Sequence, residues 1–348
     1  MKTLLVTGGA GFIGSSFIRY WLDKHPLDRI VNLDALTYAG NLENLKAVEG
    51  NSNYSFVHGD ICDRPLVEKL FDKENIDTVA NFAAESHVDR SILGPQAFIQ
   101  ANIHGTFTLL DVAKSRWGDA RECRFLHVST DEVYGSLGEK DPRFTERTAY
   151  APNSPYSATK AASDHLVRAY FHTYNLPVVT TNCSNNYGPF QFPEKLIPLV
   201  ILNAMENKPL PVYGDGKNIR DWLHVIDHCR AIDAVLHNGS VGETYNVGGN
   251  NEIKNIDIVK TVCRILDERL PTASPREQLI TYVQDRAGHD RRYAINAEKI
   301  KSALSWEPDF TFEEGIVQTI DWYLASAQWC DRVRDGRYRE YYQTVYGS

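Results

Sequence analysis

The chain has no long apolar run. No stretch approaches the roughly 20 residues that a membrane-spanning helix needs, and the early run Leu4-Leu5-Val6 is broken at Gly8 before it could act as a signal segment. Neither a membrane protein nor a secreted one is expected. An excess of positive charge is also missing. Its 37 Lys and Arg against 45 Asp and Glu leave a net charge of −8, so general binding to nucleic acid or anionic membranes is disfavoured, and any anionic ligand must be held by local Arg and Lys residues. Cysteine is sparse, and the six at positions 62, 123, 183, 229, 263 and 330 form no CxxC or other close pair. That spacing offers neither a disulfide framework nor a metal site, and it leads us to expect reduced, mostly core thiols, no bound metal and a cytoplasmic setting. No repeat, low-complexity tract or linker interrupts the chain.

What is present is ordinary globular composition, 43% apolar and 24% charged over 348 residues, enough for one large domain or two moderate ones with a substantial core. Strand-like and helix-like segments alternate from residue 2 to about 182, the pattern of a doubly wound parallel α/β sheet of Rossmann type. Strands are predicted near 3–7, 30–34, 54–58, 77–82, 124–129 and 177–182. Long helices are predicted near 95–117 and 154–175, with apolar faces wide enough to pack on the sheet and on a second subunit. After Asn182 prolines break the pattern, and a helix near 225–237 and a strand near 243–247 return to the sheet. The expected division is a dinucleotide-binding domain of residues 1–188 plus about 223–250, and a smaller, discontinuous α+β substrate domain of about 189–222 plus 251–348. The mixed-charge segment Asp331 to Glu340 reads as a solvated helix.

The first strand runs into Gly8-Gly9-Ala10-Gly11-Phe12-Ile13-Gly14, a strand, a glycine turn and a helix start. Gly8 permits the turn, Gly11 lets backbone approach a pyrophosphate at the helix N-terminus, and Gly14 allows close helix-strand packing. Asp34 ends the next strand, 20 residues past Gly14, where an acid accepts hydrogen bonds from a ribose diol and repels a 2′-phosphate. NAD is favoured over NADP. Asp60-Ile61 follows the third strand and is placed for an adenine contact, with a helix-capping acid as the equal alternative for Asp60.

Two further motifs carry chemistry. Thr130-Asp131-Glu132 follows the apolar strand Phe125 to Ser129, and Tyr156-Ser157-Ala158-Thr159-Lys160 begins 24 residues later. Residues four apart share a helix face, so the Lys160 ammonium can stabilise a Tyr156 phenolate as a base. Taken singly, TDE could be a helix cap and YxxxK an accident of an amphipathic helix. Together with the glycine turn they suggest oxidation followed by elimination.

With these pieces placed, the sequence resembles the extended short-chain dehydrogenase/reductase family, and within it the nucleotide-sugar 4,6-dehydratases. The likeness covers nearly the whole chain. It is carried by Leu36 to Asn41, Ala84 to Ser91, Ser129 to Gly135, Tyr156 to Lys160, Cys183 to Pro189 and Gly288 to Tyr293. Ala35 and Ala287 depart from the pattern, where a basic residue and a proline are usual.

The resemblance implies a lyase that acts on dTDP-glucose with tightly bound NAD in deoxysugar (rhamnose-type) biosynthesis. Tyr156 would take the 4-hydroxyl proton as hydride leaves C4, Glu132 the C5 proton, and protonated Asp131 would donate to the departing 6-hydroxyl. Thr130 would bond the 4-oxygen, and Lys160 would also hold the nicotinamide ribose. Ser86 and His87 would lie near the crevice. Asn185, Lys195, Arg220, Arg286 and His289 would hold the nucleotide-sugar pyrophosphate, for which the planar arginine fork is suited. On the residues alone the plainer readings are preferred: Arg220 beside Asp221 as a surface ion pair, Lys195 as a solvated helix residue, and His87 and His289 as structural histidines. The resemblance also implies a homodimer. A 4-epimerase, a dehydratase of another sugar nucleotide and a non-catalytic NAD-binding protein are the competing readings.

Overall fold

The structure, a computed structural model, describes residues 1–118 and 122–334. Twelve strands occur among the described residues: β1 Thr3–Thr7, β2 Arg29–Asp34, β3 Tyr54–His58, β4 Thr78–Asn81, β5 Arg124–Thr130, β6 Val178–Cys183, β7 Asn185–Tyr187, β8 Leu210–Tyr213, β9 Ile219–His224, β10 Thr244–Val247, β11 Glu252–Lys254 and β12 Ile280–Val283. Seven form one sheet in the order β10-β6-β5-β4-β1-β2-β3, and every pair in it is parallel. The seven expected strands of this sheet differ from those observed by no more than one residue at either end.

Alternation along each strand sends neighbouring side chains to opposite faces. Leu4 and Val6 of β1 pack with Phe17, Ile18 and Trp21 of the helix Phe12–Lys24 and with Ile232 and Val235 of the helix Val225–Asn238. Leu5 lies on the other face with Val31, Leu33, Leu70, Leu109 and Val167. A separate apolar core gathers Ile197, Val200 and Ile201 with Ile258, Val262, Leu266, Ile316 and Ile320. This second body carries the small sheets β11-β9-β7 and β12-β8.

Two long elements position the site. The helix Pro155–Tyr174 starts where Ser154 accepts from Ser157 N–H and the Ser157 hydroxyl accepts from Ser154 N–H, a reciprocal cap, with Pro155 in the first turn. It stops at Asn175, whose φ of 56° breaks the ladder. The expected 95–117 helix is present with a difference: Ile99–Gly105 is a π-helical turn between Pro95–Phe98 and Thr106–Trp117. Of the segment expected as a solvated helix from Asp331, only the end of the helix Ala327–Val333 is seen, with Trp329, Cys330 and Val333 buried; positions 335–340 lie outside the described residues. All six cysteines are free, and five are buried. No described helix is long and apolar enough to cross a membrane.

Candidate active site

The order in which strands join the sheet reverses between β1 and β4, and a ligand crevice opens beyond the carboxyl ends of parallel strands at such a point. Gly8 turns there with φ of +68°, and a Cβ on it would lie 2.7 Å from the Ala83 backbone that follows β4. Gly14 is equally constrained, since a Cβ there would meet Gly8 O at 2.4 Å. Gly8, Gly11, Phe12, Ile13, Gly14, Asp34, Asp60 and Ile61 all line one cleft. Asp34 Oδ2 accepts from Ala10 N and Oδ1 from Leu36 N, both at 2.8 Å, which ties β2 to the glycine turn. Burial raises the Asp34 carboxyl above its ordinary range, against those two bonds. Asp60 Oδ1 accepts from Cys62 N at 2.8 Å. The cap of the next helix is Asp63 rather than Asp60.

Across the cleft lie Thr130, Asp131, Glu132, Tyr156, Lys160, Ser86, Asn185 and Lys195. Thr130 closes β5 and its hydroxyl accepts from Glu132 N at 3.3 Å. This turns two adjacent carboxyls into different surroundings. Asp131 is 1% exposed, and its Oδ2 has no hydrogen-bond partner among the described residues. Burial, then the neighbouring charges of Glu132 and Asp221, push its carboxyl well above the usual range, with Arg220 opposing. Glu132 is raised by burial too, but Arg286, Arg220 and Lys195 pull it back down. An acid and a base side by side require such a split.

Tyr156 is buried, and burial followed by the Glu132 charge holds its phenol well above the ordinary value, opposed by a hydrogen bond from Thr130. Lys160 Nζ donates to Val128 O at 2.8 Å. Burial lowers its pKa. Lys195 Nζ donates to Ser86 O at 3.0 Å. Asn185 Oδ1 is buried without a hydrogen-bond partner among the described residues.

The remaining expected residues, His87, Arg220, Arg286 and His289, are not among those that line the cleft, although the charges of Arg220 and Arg286 reach Glu132 and His289. Arg220 is not a surface ion-pair partner of Asp221, because both are buried. Neighbours in β9 face opposite ways, so Arg220 donates to Asp290 O at 2.9 Å and lies over the Tyr293 ring, while Asp221 accepts from Gly249 N and Asn251 N. Arg286 lies 3.7 Å from Asp89, and its Nε is buried without a hydrogen-bond partner among the described residues. His289 bonds Asp285 at 2.6 Å, and burial lowers its pKa to about 4. His87 is buried and held well below the ordinary histidine range by burial and by Lys195, Arg90 and Arg286.

Sequence reasoning missed several residues of the cleft. Glu194, beside Lys195, is buried there with its carboxyl raised, and Arg90 reaches it at 3.3 Å. Glu85 also lines the cleft, and its backbone is held at both N–H and C=O by Asn102 from the π-turn. Away from the cleft, His25, Asp233 and His237 bring three donor atoms within 4.8 Å. Both histidines bond Asp233 there, at 3.0 and 2.7 Å, a clamp between two helices that residue spacing could not reveal.

The parallel sheet, the glycine turn at its reversal and the Tyr156/Lys160 pair define an extended short-chain dehydrogenase/reductase. The chain belongs, within that class, to the nucleotide-sugar 4,6-dehydratase family: a family profile described as GDP-mannose 4,6 dehydratase matches residues 5–319. It is 61% identical to dTDP-glucose 4,6-dehydratase of Xanthomonas campestris pv. campestris, over 97% of this chain and 98% of that one. Among solved structures, dTDP-glucose 4,6-dehydratase from Bacillus anthracis in complex with NAD is 50% identical, with a TM-score of 0.86 over 96% of this chain and 100% of that one. The Streptomyces venezuelae enzyme of the same name, solved with NAD and the ligand TYD bound, is 44% identical, with a TM-score of 0.89 over 95% of this chain and 99% of that one.

Proposed function

We propose that the chain dehydrates dTDP-glucose to dTDP-4-keto-6-deoxyglucose, an NAD-dependent hydro-lyase step of deoxysugar biosynthesis. The observation that carries this reading is the split environment of Asp131 and Glu132 at the end of β5, within the same cleft as Tyr156 and Lys160. NAD fits the glycine turn and Asp34, and when bound it supplies a hydride acceptor and donor. The protein's own residues move the protons. Tyr156 takes the 4-hydroxyl proton, and Thr130 bonds the 4-oxygen. A ketone at C4 acidifies the C5 proton, which Glu132 removes while protonated Asp131 donates to the leaving 6-hydroxyl. Asn185, Lys195, Arg220, Arg286 and His289 stand as the pyrophosphate wall.

The two separate cores support a division into a cofactor body of residues 1–188 plus about 223–250 and a sugar-nucleotide body of about 189–222 plus 251–348 over most of their length, with Ala297, Ile300 and Trp306 packed instead in the sheet core and Tyr187 in the second core. A homodimer through the helices near 95–117 and 154–175 is supported by the exposed Ile99 and Phe107 and by Leu93, 70% exposed just before them. The free, mostly buried thiols suit a reducing, cytoplasmic setting. Incubation of purified protein with dTDP-glucose and with UDP-glucose tests the reading. A 4-keto-6-deoxy product from the thymidine sugar is expected; an epimer that keeps its 6-hydroxyl would point to the 4-epimerase reading instead. A stable monomer in sedimentation equilibrium would remove the dimer.

A further inference from the structure

Directly behind the cleft lies a buried ionisable group that the proton transfers above leave unused. Asp164 sits one turn after Lys160 on the helix Pro155–Tyr174 and is 5% exposed. Its Oδ2 accepts from Ser129 Oγ at 2.8 Å and from the Tyr150 hydroxyl at 3.0 Å. Those bonds would satisfy a purely structural acid. Oδ1 is different: it is buried and has no hydrogen bond of good geometry among the described residues. Its near neighbour is His127 Nε2, 3.3 Å away, and the same nitrogen lies 3.4 Å from Lys160 Nζ. The other ring nitrogen of His127 faces the Asn81 amide at 3.1 Å, and Asn81 is fixed in turn by the Thr7 hydroxyl at 2.6 Å.

A buried carboxylate oxygen without a donor is costly unless a cation faces it. The cation that Asp164 acts on is Lys160, on the far side of His127 Nε2. His127 does not compete as a second positive charge, because burial lowers its pKa to about 4. The groups facing Lys160 are Asp164 on its own helix, His127 from β5 and Cys183 from β6; burial lowers the lysine's pKa, and Asp164 is the foremost charge that raises it. Glu132, Cys183 and Asp131 face Tyr156 and all disfavour phenolate.

We propose that Asp164, with His127 as the spacer that sets its distance, is a positioning residue that keeps Lys160 protonated and in place behind Tyr156. This rests on the dehydratase reading. Its consequence is that the basicity of Tyr156 is set by a group that touches neither sugar nor dinucleotide. Without Asp164 the buried lysine would lose its proton more readily, and the positive charge one helical turn from Tyr156 would go with it.

The test isolates the Tyr156 step in a Glu132→Gln background, where the C5 base is absent and the rate of cofactor reduction on mixing with dTDP-glucose reports C4 oxidation. That rate rises with pH along an acidic limb. Adding Asp164→Asn should move the limb to higher pH by roughly one unit or more, the scale of an opposite charge lost at this range. Affinity for dTDP-glucose, measured by calorimetry, should change by less than about threefold. Lys160→Met should move the limb in the same direction, and the two changes together should move it no further, since both act through one group. A slower rate with the limb unmoved would make Asp164 merely structural and overturn the proposal, as would additive shifts. If Asp164→Asn does not melt cooperatively, the smaller Asp164→Ser is read in the same way. A wild-type protein that forms no 4-keto-6-deoxy product defeats the functional reading instead, whatever the Asp164 variants show.

Discussion

On one side of the cleft, the Gly8 to Gly14 turn and Asp34 come from the first 34 residues and are joined by the Ala10 N–H, which donates to Asp34. On the other, Glu132 and Lys195 line the cleft, and the charges of Arg220 and Arg286, from separate stretches of chain, reach Glu132 from beyond it. The first wall depends on shape, because a methyl group has no room at Gly8 or Gly14. The second depends on charge balance, because three cations offset part of the burial that raises Glu132, while Asp131 stays well above its ordinary range. A small change of volume should therefore disable the first wall, and a small change of charge the second.

Glu132→Gln gives the largest expected effect. It alters charge but hardly volume, so elimination should slow by on the order of 10²-fold or more while bound cofactor is still reduced on mixing with dTDP-glucose. Stopped-flow absorbance together with exchange of the C5 hydrogen into heavy water checks both halves. Near wild-type turnover would remove Glu132 as the base. Tyr156→Phe should instead suppress cofactor reduction itself.

Gly14→Ala tests the other wall. Its Cβ would fall 2.4 Å from Gly8 O, an overlap that should cost about 1–3 kcal/mol and strip the dinucleotide. Wild-type protein should release NAD on denaturation, because each cycle returns the hydride to the same sugar and gives no reason for release. The variant should release little, and a full complement of NAD would show that the turn has more room than the geometry gives.

Arg286→Ala sharpens the contrast. It should raise KM for dTDP-glucose by about tenfold, the scale of one charge-assisted phosphate contact, with NAD content unchanged. A parallel loss of NAD would show that the two walls are not separable.

The smallest effect is on stability. Burial raises the folded-state pKa of Asp131 above its unfolded value, so its contribution to stability is fully present below the unfolded pKa and is lost as pH rises through the folded one. At neutral pH Asp131→Asn should therefore raise the melting temperature by a few degrees at most, while activity falls. The gain should vanish when melting is followed at a pH below the ordinary aspartate range. An Asp131→Asn protein that melts lower at neutral pH would contradict the raised pKa.

The same contrast explains what could be read from the chain. Gly8, Asp34, Thr130 to Glu132 and Tyr156 to Lys160 are local patterns, each held within one turn or at one strand end, and the structure places all of them along one cleft. Asp164 had a local signal too, four residues past Lys160, but helix spacing alone does not say that His127 lies between them. Glu194 in the cleft and the Glu85–Asn102 pairing depend on contacts between segments that are not neighbours in sequence. The π-turn at Ile99–Gly105 leaves no mark in an otherwise helical pattern. Arg220 and Asp221 were ambiguous as a sequence pair, and strand alternation, a rule of period two, separates their roles once β9 is known.

The cap at Ser154 has a last consequence. Tyr156 lies in the first turn of a helix of 20 residues, and side chains on a helix lean back toward its N-terminus. The phenol therefore lies toward the positive end of the helix dipole, equivalent to about half a charge. That field favours phenolate and does not depend on pH or on any side chain's protonation. The turn that fixes where the base stands also gives it a constant electrostatic bias, which persists even if Lys160 is neutral.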